Sequence, residues 1–72
     1  MKWEYGTLES REGQPDGNGL FYGYERRGDP TPENIAIILN YLGAQGWEIS
    51  PPNIRQNGNG IIQTWAMKRP LP

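Results

Sequence analysis

At 72 residues the chain has room for one small domain, residues 1–72, and no second core. It contains no cysteine and no histidine, which excludes disulfide staples, thiolate or imidazole metal sites and histidine-based acid–base catalysis. Seven Lys and Arg against eight Asp and Glu leave a net charge of -1, without the basic excess of a duplex nucleic-acid binder, and no apolar run approaches a membrane span.

Lys2 to Glu9 reads as a first strand, with Trp3, Tyr5 and Thr7 on one face and Lys2, Glu4, Gly6 and Leu8 on the other. The Trp and Tyr face is expected to meet the helix. Ser10 to Gly19 is a polar loop dense in turn formers, and Leu20 to Arg26 is a second strand by aromatic enrichment, completing a hairpin with a long tip.

The stretch from Thr31 to Ser50 holds the one strong helix. Thr31 is placed to cap it, Pro32 sits at the first helical position and Glu33 lies near the positive end of the dipole. Ile35, Ile38, Leu39 and Leu42 form an apolar stripe that must be buried. Gly43 is expected to end the helix in the left-handed conformation, and Gly46 to release the chain into a strand, Trp47 to Ser50, with the Trp47 indole N–H near a carbonyl. Pro51 and Pro52 stop that strand, Asn53 to Gly60 is a second polar loop, and Ile61 to Lys68 is the last strand.

The order strand, strand, helix, strand, strand predicts an α+β fold: a mainly antiparallel four-stranded sheet with the helix packed on one face. Ile37 and Tyr41 lie opposite the stripe, where a lone helix would be polar, so they are assigned to an interface in a homo-oligomer.

Trp3-Glu4-Tyr5, the segment Leu42-Gly43-Ala44-Gln45-Gly46-Trp47-Glu48 and Lys68-Arg69-Pro70 together resemble the short bacterial and phage proteins of domain of unknown function family 4177. The resemblance covers both ends and the middle and implies a small strand-helix-strand fold with no activity to carry over. The aromatic segment Leu20 to Tyr24 and the proline pair depart from it.

No catalytic residue is assigned. Ser10 and Ser50 lack a base, and Glu4 with Glu48 is the one carboxylate pair the fold brings into consideration. No cofactor fingerprint is present. Arginines that fork onto phosphate and tyrosines that stack on bases point instead to a small phosphorylated, nucleotide-like ligand held by Arg26, Arg27 and Arg55 with Tyr22 and Tyr24. The expectation is therefore a cytoplasmic, non-enzymatic, homo-oligomeric binding protein. The alternative is an inhibitor or accessory subunit that binds a host protein. Neither duplex nucleic acid nor a membrane is expected as a partner.

Overall fold

The computed structural model describes residues 2–72, with Asn57 described by its backbone alone. Six strands and one helix follow in order: β1 (Trp3–Glu12), β2 (Gly19–Tyr22), β3 (Glu25–Gly28), α1 (Pro32–Ala44), β4 (Glu48–Ile49), β5 (Asn53–Asn57) and β6 (Gly60–Pro70). The sheet is antiparallel throughout, in the order β3-β2-β1-β6-β4, and β5 also pairs with β6. The α+β class holds; the four-stranded sheet does not.

Two of the expected segments divide for identifiable reasons. Gly23 takes φ 67°, which L side chains rarely adopt, and so turns Leu20–Arg26 into two strands joined by Gly23 and Tyr24, with Tyr22 opposite Glu25. Asn53–Asn57 is a strand rather than a loop. Pro51 and Pro52 interrupt an edge that is otherwise continuous along β6, because the Ser50 amide still donates to the Ala66 carbonyl (2.9 Å) and Asn53 resumes pairing at Thr64. Proline lacks the donor that the ladder needs.

The helix begins as expected: the Thr31 hydroxyl accepts from the Asn34 amide at 3.1 Å, with Pro32 next. It ends later than expected. Gly43 is helical and Gly46 carries the left-handed turn at φ 90°. The Gly46 amide donates to the Gly43 carbonyl (3.0 Å) and the Trp47 amide to the Leu42 carbonyl (3.2 Å), closing a Schellman motif whose apolar contact is Trp47 near Leu42.

The helix stripe packs where predicted, with Leu42 fully buried and Ile35, Ile38 and Leu39 against the same cluster. It meets the opposite face of β1 from the one expected. Leu8 and Ser10 are buried, whereas Tyr5 and Thr7 are exposed. The reason is room: a Cβ on Gly6 would lie 3.2 Å from Met67 Cε and 3.4 Å from Trp47 Cη2, so the bare glycine seats the Trp47 ring. The period of two then fixes Leu8 inward and Trp3 and Tyr5 outward. Leu8, Leu42, Trp47, Trp65 and Met67 form the core. Among the described residues, no helix is long and apolar enough to cross a membrane.

The molecule measures 41 × 20 × 20 Å because β1, β5 and β6 run on past the helix. Ile54 and Ile61 lie on that extension and are exposed.

Candidate functional site

β2 pairs with β1 only from Leu8 to Arg11, because the turn at Gly23 carries the chain away. Along Glu4–Thr7 that flank of β1 therefore has no strand beside it. Between this free edge and the β2–β3 turn lies an open cleft of about 570 Å³, lined by Glu4, Tyr5, Gly6 and Thr7 on one wall, Tyr22, Gly23, Tyr24, Glu25 and Arg27 on the other, and Trp47.

Arg69 organises one end. Its guanidinium donates twice to the Glu4 carboxylate, both at 3.1 Å, once to the Gln45 carbonyl at 3.3 Å, and lies 4.4 Å from the centre of the Trp47 ring. A cation belongs beside the last carbonyls of a helix, where the dipole is negative. The hydrogen-bonded Glu4 carboxylate holds the Arg69 guanidinium above its ordinary pKa. The Trp47 indole Nε1, expected near a carbonyl, is buried and meets no acceptor among the described residues. On the other wall, Arg27 pairs with Glu25 at 3.2 Å and lies 5.5 Å over the Tyr22 ring.

Of the five residues that the sequence nominated for a ligand, Tyr22, Tyr24 and Arg27 line this cleft. Tyr22 is half-buried against the core and Tyr24 projects fully into solvent at the turn. Arg26 is opposite Phe21 in the ladder and is tied to Asp29 at 2.6 Å and to the Asn18 carbonyl at 3.3 Å, away from Arg27. Arg55 lies in β5 at the other edge of the sheet from β3, four strand spacings or roughly 19 Å away. The five do not form one site. The Glu4 and Glu48 carboxylates are also apart: Glu48 is opposite Lys68 and Glu4 opposite Arg69, positions that alternate between faces. Ile37 and Tyr41 are exposed at 63% and 57%, with Tyr41 beside Tyr22 and Arg27 in a shallow groove.

Sequence reasoning missed Glu4, Glu25 and Trp47 as members of the cleft. The glycine at position 23, inside the aromatic run Leu20 to Arg26, was the signal, since its positive φ ends β2 early and leaves the edge of β1 open.

No family model matches the chain, and no solved structure does. The chain is similar to the N-(5'-phosphoribosyl)anthranilate isomerase of Synechococcus sp. (strain JA-2-3B'a(2-13)), with 44% identity over 50 residues, or 65% of this chain. It spans 22% of that protein's length. That relative is an enzyme, which overturns the expectation of a non-enzymatic binding protein.

Proposed function

We propose that the chain serves in the enzymatic conversion of a phosphoribosylated aromatic compound, with the edge cleft seating the substrate. The observation that carries this reading is the 44% identity over 50 residues with a phosphoribosylanthranilate isomerase. The cleft's residue types support it. Tyr22 and Tyr24 offer faces for an aromatic ring, and Arg27 offers a planar fork for phosphate. An isomerisation relocates a proton within one molecule, and Glu4 and Glu25 on facing walls are the groups able to take and return one. In this reading the chain is cytoplasmic.

The test is conversion of N-(5'-phosphoribosyl)anthranilate by the purified chain, followed by anthranilate fluorescence. Turnover above the buffer rate is expected, falling about 100-fold in Glu25→Gln. Arg27→Ala should raise KM more than it lowers kcat. A rate equal to buffer across the substrate range overturns the reading.

A further inference from the structure

We propose that the free edge of β1 from Trp3 to Thr7 takes up an extended peptide as an added strand. Such a strand does not depend on the cleft's being a substrate site, but it fills the same space and so controls access to it.

The pairing of β1 with β6 fixes which main-chain groups face the cleft. The Leu71 amide donates to the Lys2 carbonyl at 2.9 Å, and the register runs from Trp3 to Glu12 without a shift. Hydrogen-bonded and non-hydrogen-bonded pairs alternate in an antiparallel ladder, so Glu4, Gly6 and Leu8 turn their N–H and C=O toward β6. Trp3, Tyr5, Thr7, Glu9 and Arg11 turn theirs the other way. β2 meets Glu9 and Arg11, but its pairing stops at Leu8, opposite Tyr22. Tyr5 therefore presents an N–H and a C=O at the centre of a gap of about 17 Å that no strand among the described residues fills.

Edges of this kind are ordinarily blunted by proline, lysine or a bulge. Residues 3–7 contain neither proline nor lysine, and their register has no bulge. Their one charge, Glu4, is held by Arg69 at 3.1 Å, and Glu25 across the cleft is held by Arg27 at 3.2 Å. With the carboxylates neutralised in place, the main chain specifies the occupant. Donors and acceptors that repeat at every second residue, about 6.8 Å apart, match another extended polypeptide. An anion laid along the same edge would meet the Tyr5 carbonyl.

Gly6 adds a preference for side chain. An incoming residue opposite Gly6 turns to the helix side, where β1 offers no side chain and Trp47 and Tyr22 line the cleft, so an apolar group fits there. The residues opposite Tyr5 and Thr7 lie beside exposed side chains on the other face and suit polar groups.

The test is fluorescence anisotropy of a labelled peptide of about nine residues, alternating threonine and valine between terminal lysines, titrated with the full chain. Saturable binding is expected, with the valines on the helix side and the main chain of the threonines bonded to β1. N-methylation of the threonine amides should therefore weaken binding about tenfold or more, and N-methylation of the valine amides by less than about threefold. Tyr5→Pro removes an amide that β6 does not use and should weaken binding about tenfold, whereas Tyr5→Thr keeps that amide and should stay within about threefold. Unchanged melting curves separate lost binding from lost folding, and the methylated peptides decide the matter without any variant. An anisotropy that never rises overturns the proposal. So do equal affinities of the two methylated peptides, or light scattering that shows a dimer dissociated by Tyr5→Pro, which gives the edge to a second copy. A peptide that binds as expected and is not displaced by N-(5'-phosphoribosyl)anthranilate supports the added strand and removes that substrate from the cleft.

Discussion

Replacing Leu42 by Ala tests the orientation of the helix, on which the position of every other element depends. Leu42 is fully buried among Leu8, Trp47, Trp65 and Met67, and its carbonyl accepts from the Gln45 and Trp47 amides that close the helix. Alanine preserves those backbone bonds and the helix propensity, so the loss reports packing alone. Truncating a buried Leu costs about 2 to 5 kcal/mol, of a total near 4 to 11 kcal/mol for a chain this short. The lower bound alone corresponds to a fall in Tm of about 8 to 16 °C. The companion Ile37→Ala, at a side chain 63% exposed on the opposite side of the single chain, should change stability by less than about 0.5 kcal/mol when read at a protein concentration too low for self-association. Urea unfolding followed by tryptophan fluorescence reads both, since Trp47 and Trp65 are buried. Equal losses in the two variants, or a loss below about 1 kcal/mol in Leu42→Ala, would refute the assignment of the helix's buried side.

Two glycines should respond with opposite signs. A Cβ on Gly60 would fall 2.6 Å from the Glu12 carbonyl oxygen and 2.8 Å from that of Gly13, so Gly60→Ala should cost about 1 to 3 kcal/mol by thermal melting. Gly43 is helical with open space around it, and Gly43→Ala should stabilise by about 0.5 to 1 kcal/mol. Arg69→Ala should lower Tm more than Glu4→Gln, because it also removes the stacking on Trp47 and the bond to the Gln45 carbonyl; equal shifts would reduce Arg69 to its ion pair. Self-association through Ile37 and Tyr41 predicts a light-scattering mass above 8.2 kDa that returns to that value in I37D/Y41S, and a monomeric parent chain removes it.

The helix was legible because its signals agree. Cap, proline, apolar stripe and glycine exit all lie within one stretch, and the structure differs only in which glycine turns left-handed. The sheet was harder for a physical reason. Trp3 and Tyr5 look like core by their size, but their alternation partners Gly6 and Leu8 are inside, because a missing side chain makes the space for Trp47. A vacancy that a distant ring fills is a tertiary fact, and local pattern carries no trace of the ring's origin. Asn53–Asn57 was hidden by composition: its polar residues lie on an edge strand, where only backbone pairing with β6 holds them. The ligand residues failed to converge for a similar reason. Arg55 and Arg27 were grouped because both are arginines able to fork onto phosphate, yet strand order puts them at opposite edges.

The edge cleft is the centre of the functional reading, and a two-dimensional NMR titration with N-(5'-phosphoribosyl)anthranilate interrogates it directly. Shifts confined to the amides of residues 4–7, 22–27 and 47 are the result expected of a substrate seated between the free edge of β1 and the β2–β3 turn. A spectrum that does not change, or shifts centred on Arg55, Ile62 and Thr64 instead, would contradict it.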